Sequence, residues 1–124
     1  EEKEIAHLFK GWQGGYRLFG WRTDNAHFEK IDVLLHPAKA EPYGMVISEA
    51  MAAQVPVVVS DLCGAAAQVS DKHGAVVHLE ASVREWATKV DGQLARTESV
   101  TGFIRGWDVV AGEYITVYER LSHD

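Results

Sequence analysis

The chain has 124 residues, of which 47% are apolar and 24% charged, with a net charge of −6 and one cysteine, Cys63. The acidic balance argues against a nucleic-acid partner, which would need a basic face, and a single cysteine excludes an internal disulfide and a multi-thiolate zinc site. No apolar run approaches the ~20 residues that span a bilayer. We therefore expect one globular domain with a folded surface of roughly 6,600 Å², and the free thiol fits a reducing, cytoplasmic location.

Apolar segments of two kinds alternate along the chain, and their lengths and spacings predict strands and helices. The predicted strands are Tyr16–Phe19, Asp32–His36, Pro56–Ser60 and Ala75–Leu79. The predicted helices are Glu1–Lys10, Ala26–Lys30, Gly44–Gln54, Ala65–Val69, a segment capped by Ser82 that ends at Ala95, and Thr101–Leu121. Apolar stripes on the last two helices predict that Trp86 and Trp107 are core residues.

Apolar strands separated by helical segments predict a doubly wound α/β fold with a mostly parallel sheet. In such sheets, ligands bind beyond the carboxyl ends of the strands. Three predicted loops lie there, namely Gly20–Asn25, Pro37–Tyr43 and Asp61–Gly64. These loops are the first places to look for a binding site.

Gly44 begins a predicted helix directly after the second loop. Because glycine has no side chain, a ligand can approach the first-turn amides of Met45, Val46 and Ile47 closely. These amides lie at the positive end of the helix, which suits a phosphate group. In an acidic chain this is a way to hold a diphosphate without basic side chains.

Two carboxylates, Glu41 and Glu49, flank this helix start. A carboxylate can accept two hydrogen bonds from the vicinal diol of a ribose or hexose, each worth about 1.5–3 kcal/mol. The spacing therefore suits one sugar on each side of a bound diphosphate. On the alternative interpretation, Glu41 is a solvated loop residue and Glu49 an ordinary surface residue, and spacing alone leaves this open.

The segment EPYGMVISEAM, which carries Glu41 and Glu49 with seven residues between them, resembles the E-x7-E signature of retaining GT-B glycosyltransferases of family 4. The resemblance runs in order from about Tyr16 to Leu79. It includes LFGWR, IDVLLHPAKAE, AMAAQVPVVVS, the loop Cys63–Val69 and the segment His73–Leu79. The loop composition is close to that of bacterial lipopolysaccharide or capsule sugar transferases.

The resemblance implies the C-terminal, donor-nucleotide-binding half of a GT-B fold, with a nucleotide-sugar as substrate and neither a cofactor nor a metal. Glu41 would be the catalytic-site residue that contacts the donor hexose, and Glu49 would bind the ribose. The backbone amides of Gly44, Met45 and Val46 would bind the sugar and phosphate, while Trp21 and Arg22 would border the base. His36 could also face the nucleotide, and Lys39 could reach a phosphate.

Three residues depart from the family pattern: Gln54 stands where glycine is usual, Gln68 where glutamate is common, and Cys63 where glycine is common. Nothing before Tyr16 resembles the family's phosphate-neutralising strand and Arg/Lys pair. We therefore expect residues 1–124 to be a single nucleotide-sugar-binding domain, truncated at its N-terminus and inactive alone. Its partner would be the N-terminal acceptor domain of the same enzyme, and the full-length enzyme could associate peripherally with the inner face of the membrane.

Two other functional classes stay open at this point. One is a different GT-B enzyme, such as a nucleotide-sugar epimerase or a phosphorylase. The other is a non-catalytic α/β module that binds a nucleotide or another protein. Neither class requires Glu41, Gly44 and Glu49 together at a junction between a strand and a helix.

Overall fold

In the computed structural model, which describes residues 5–20 and 26–122, three parallel strands form one sheet. They are β1 (Leu34–His36), β2 (Val57–Ser60) and β3 (Gly74–Val77), and β2 lies in the centre. The parallel register pairs Leu35 of β1 with Val58, and Val59 with Val76 of β3. The carboxyl ends of the strands therefore meet at one edge of the sheet.

Helices connect and cover these strands. The α-helices are α1 (Met45–Ala52), α2 (Val83–Leu94) and α3 (Trp107–Leu121), and the 3₁₀ helices are η1 (His7–Phe9), η2 (Ala26–Lys30) and η3 (Gly64–Gln68). Helix α1 packs against β1 and β2, whereas α2 packs against β2 and β3. The predicted α/β class with a parallel, Rossmann-like sheet is confirmed.

The core surrounds β2, in which all four residues are buried. The three valines of β2 are stiff, β-branched side chains that suit a central strand covered on both faces. Helix α1 contributes Ile47, Ala50 and Met51, each with 0% exposure. The helix that begins at the candidate phosphate site is thus fixed to the best-packed strand of the sheet.

The predicted strand Tyr16–Phe19 is wrong, because those residues have no regular structure. Tyr16 and Phe19 are more than half exposed, and Tyr16 stacks on Phe9 with ring centroids 4.2 Å apart. A strand needs a neighbour that pairs with its backbone, and β1 bonds only to β2 within the described sheet. The predicted base-site residues Trp21 and Arg22, with the rest of residues 21–25, lie outside the described residues.

Helix α3 differs from the prediction in its start and in its burial. It begins at Trp107 instead of Thr101, and Trp107 is 88% exposed instead of being a core residue. Trp86, by contrast, is half-buried on α2. No residue of α3 is buried, and the whole chain exposes 9647 Å², well above the roughly 6,600 Å² expected of a compact chain.

Within the described residues, no helix has the length and apolar character needed to cross a bilayer.

Gln54 follows α1 in a left-handed conformation, with a φ of 62°. Its side-chain amide donates a hydrogen bond to the carbonyl oxygen of Val100 at 3.3 Å. Glutamine stands here in place of the glycine that is usual in the resembling family, and it strains the backbone. The hydrogen bond to Val100 partly offsets that strain.

We predict that the Gln54→Gly variant is about 1 kcal/mol more stable than the Gln54→Ala variant. Both substitutions remove the amide hydrogen bond to Val100, but only glycine relieves the left-handed strain. Chemical denaturation of the two variants measures the difference directly. Equal stabilities would show that the backbone at residue 54 does not retain its positive φ.

Candidate functional site

An open cleft of about 500 Å³ lies at the carboxyl edge of the sheet, between the loops that follow β1 and β2. The first loop contributes Lys39, Ala40, Glu41 and Pro42, and the second contributes Asp61, Leu62, Cys63 and Gly64. This is the position at which parallel sheets bind ligands. Two of the three loops selected from the sequence therefore form one concave surface.

Two predicted site residues, Lys39 and Glu41, line this cleft together. The Glu41 side chain is 35% exposed, and its Oε2 atom lies 3.9 Å from Nε2 of His36, the last residue of β1. The cleft thus presents one cationic and two anionic side chains, since Asp61 also lines it. Sequence reasoning did not single out Asp61, although its position directly after β2 was a signal.

Gly44 precedes α1 in a left-handed conformation, with a φ of 88°. A Cβ atom here would lie 3.1 Å from Cγ of Glu41 and 3.0 Å from Cδ1 of Ile47, so glycine suits both the backbone and the space. No side-chain hydrogen bond caps the start of the helix at Gly44, and the amides of Met45 and Val46 have no acceptor within α1. The amide of Ile47 was also predicted to be available to a phosphate. In the structure it instead donates a hydrogen bond to the Gly44 carbonyl oxygen at 3.0 Å.

Glu49 lies on α1, one turn after Met45, and is half-buried. Met45 is 69% exposed, whereas Val46 packs against the core. Glu49, Met45 and Val46 do not line the cleft described above. The structure therefore brings together Glu41, Gly44, His36 and Lys39, while the ribose role of Glu49 stays a prediction.

Backbone contacts fasten the two cleft loops to each other. Glu41 and Cys63 form an isolated parallel bridge, and the Gly64 amide donates to the Glu41 carbonyl oxygen at 3.1 Å. The Ala65 amide donates to the carbonyl oxygen of Tyr43 at 2.7 Å. These contacts fix the backbone on both sides of Glu41 against the start of η3.

Ser60, the last residue of β2, ties the first loop to the core. It is fully buried, and its hydroxyl donates to the Ala38 carbonyl oxygen at 2.6 Å and contacts the Cys63 sulfur at 3.4 Å. Sequence reasoning missed this role. The available signal was a polar residue at the end of an otherwise apolar strand, where a buried hydroxyl needs a partner.

Tyr43 links the same loop to two further elements. Its hydroxyl accepts hydrogen bonds from Nε2 of Gln68 at 3.1 Å and from Oγ of Ser48 at 3.3 Å. Gln68, which stands where the resembling family often has glutamate, thus holds the loop between η3 and α1. Among the described residues, no group of three or more His, Cys, Asp or Glu side chains could hold a metal ion.

Residues 1–96 match the profile of the family described as glycosyl transferases group 1. The fold resembles the crystal structure of WaaG, a glycosyltransferase involved in lipopolysaccharide biosynthesis, with a TM-score of 0.66 and 29% sequence identity. The match covers 77% of this chain and 27% of that chain, so this chain spans about a quarter of WaaG's length. No curated protein matches.

Proposed function

Because the chain belongs to the group 1 glycosyl transferases, we propose that it forms the donor-binding, C-terminal part of a retaining, family 4 enzyme. Such an enzyme would transfer a hexose from a nucleotide-sugar to a saccharide or lipid-linked acceptor. The family match favours glycosyl transfer over the epimerase and the non-catalytic module. The similarity to WaaG, a glycosyltransferase involved in lipopolysaccharide biosynthesis, supports bacterial surface polysaccharide synthesis as the context. We propose that such an enzyme works in the cytoplasm and associates peripherally with the inner face of the membrane.

One observation carries this proposal: Glu41 and the start of α1 are adjacent at the carboxyl edge of the sheet. Gly44 lies between them, close enough that any side chain would press on Glu41. A sugar diphosphate placed there would meet a carboxylate for its sugar hydroxyls and uncapped amides for its phosphate. In this arrangement Glu41 contacts the hexose, and the amides of Gly44, Met45 and Val46 bind the phosphate.

The remaining site roles complete the proposal. Glu49 would bind the ribose, Trp21 and Arg22 would border the base, and Lys39 would approach a phosphate across the cleft. No metal is needed in this scheme, because the helix amides and Lys39 offset the diphosphate charge. The acceptor would bind to a second domain of the same enzyme.

The exposed apolar side chains of α3 support the proposal of that second domain. Its apolar side chains are each about half or more exposed, a pattern that is typical of surfaces covered by other protein. They include Val109, Tyr114, Ile115, Val117 and Leu121. We propose that the acceptor domain packs against this helix.

The test is titration of the chain with UDP, GDP and ADP, followed by the same titration of a Glu49→Ala variant. We predict that the substitution weakens binding of the preferred nucleotide at least about tenfold, because it removes charge-assisted hydrogen bonds to the ribose diol. Isothermal titration calorimetry measures the affinities.

Glu119→Ala serves as the matched control, since Glu119 is exposed on α3 and the substitution removes the same charge. An affinity that is unchanged in Glu49→Ala would contradict the ribose role. If none of the three nucleotides binds at millimolar concentration, donor binding by these residues is contradicted as well.

A further inference from the structure

His36 presents a buried polar atom that lacks a hydrogen bond. Its Nε2 atom is shielded from solvent, and no hydrogen-bond partner is found for it in the described part of the chain. The nearest acidic atom is Oε2 of Glu41, at 3.9 Å. Buried polar atoms in folded proteins are nearly always paired, so this atom requires an explanation.

The position of His36 narrows the possible explanations. His36 ends β1, where it pairs in register with Val59, so the sheet ladder holds its backbone. A ligand in the cleft cannot reach Nε2 directly, because that atom is buried. A metal site is also not supported, since His36 and Glu41 belong to no group of three ligating side chains among the described residues.

Glu41 is the more exposed partner of the two. It lies on a loop with its side chain 35% exposed, whereas the His36 side chain is 25% exposed. The 3.9 Å separation exceeds a charge-assisted N–H···O hydrogen bond by only about 1 Å, so a shift of that size in the partly exposed Glu41 carboxylate would bring the two atoms into hydrogen-bond distance.

We propose that His36 is a positioning residue for Glu41. Nε2–H of His36 donates to Oε2 of Glu41, and this hydrogen bond turns the other carboxylate oxygen, Oε1, toward the cleft. The inference rests on the proposed function for the identity of what Glu41 then contacts, a donor sugar hydroxyl. The pairing of His36 with Glu41 itself does not depend on that function.

The first test uses the ligand-free chain and therefore does not depend on donor binding. Long-range ¹H–¹⁵N spectra of the imidazoles should show His36 as the tautomer protonated at Nε2. A Glu41→Gln variant should shift the His36 Nε2 resonance and leave the resonances of His73 unchanged. His36 protonated only at Nδ1, or spectra that are identical in the two proteins, would overturn the proposal.

The second test compares two substitutions of similar length, His36→Gln and His36→Met. Glutamine keeps an N–H donor near the place of Nε2, and methionine does not. With UDP-glucose, GDP-mannose and ADP-glucose as probes, we expect methionine to weaken binding of the preferred sugar nucleotide about tenfold and glutamine to restore most of it.

The two arms separate failure of this inference from failure of the proposed function. Equal losses in His36→Gln and His36→Met would show that His36 acts only through packing, which overturns the positioning role. Binding of none of the three sugar nucleotides would contradict the proposed function, and the spectra of the ligand-free chain would still decide whether His36 pairs with Glu41.

Discussion

Replacing Gly74 with alanine is expected to lower the free energy of unfolding by about 3 kcal/mol. Gly74 begins β3 opposite Val57, and a Cβ atom at this position would lie 1.9 Å from the Val57 carbonyl oxygen. The clash is with the backbone of the central strand, so no side-chain rotation relieves it. The two strands must separate, which disturbs the best-packed part of the core.

Gly92→Ala is the control for this substitution, because a Cβ atom at Gly92 of α2 meets nothing within 4 Å. Alanine is the better helix former, so this control should be as stable as the original chain or up to about 1 kcal/mol more stable. Urea denaturation of the two variants measures both effects. Equal stabilities for Gly74→Ala and Gly92→Ala would contradict the close approach of β3 to Val57.

Replacing Gly64 with alanine should displace the loop at the candidate site and weaken nucleotide binding, while the sheet keeps its structure. A Cβ atom there would lie 2.1 Å from the Pro42 carbonyl oxygen and 3.0 Å from Cα of Tyr43. The loop from Glu41 to Tyr43 must move away from η3, which breaks the hydrogen bonds donated by the Gly64 and Ala65 amides. We expect at least an about tenfold loss of nucleotide affinity, because Glu41 and the start of α1 move with the loop.

Two measurements check this prediction. Amide chemical shifts should change over the loop from Glu41 to Gly44 and remain the same in β3, and calorimetry should show the loss of nucleotide affinity. Gly92→Ala again provides the control, with loop shifts and affinity unchanged. Loop shifts in Gly64→Ala that match those of the original chain would show that Gly64 does not hold the loop in place.

The strands of the core could be predicted from sequence because their signal is local. The run of valines after Pro56 identified β2 within one residue of its observed start, and Pro37 directly follows the end of β1. Tyr16–Phe19 has a similar apolar composition but forms no strand. The difference lies in pairing with a neighbouring strand, which composition does not report.

Trp107 shows a related limit. Apolar residues at helical spacing correctly predicted a helix that ends at Leu121, yet Trp107 on that helix is 88% exposed. Periodicity identifies an apolar face and does not identify what covers it. For this reason the predicted burial of Trp107 was wrong although the helix itself was found.

The candidate site also has a part that could be predicted from the sequence and a part that could not. The junction that contains Glu41 and Gly44 was visible because loop, glycine and helix follow one another in the chain. The contacts that hold this junction in place were not, since Ser60 reaches Ala38 and Gln68 reaches Tyr43 across more than twenty residues. Such contacts depend on how the strands align, and a single sequence carries no direct signal for that.

The isolated bridge between Glu41 and Cys63 joins the two cleft loops a few residues beyond the ends of β1 and β2. Together with the hydrogen bonds donated by the Gly64 and Ala65 amides, this bridge restrains the two walls of the cleft from moving independently. Under the proposed function, closure over a bound sugar nucleotide would then come from a segment outside these two loops. Entry and release of that nucleotide would depend on the movement of that segment, while the joined backbone of the two loops would keep its shape.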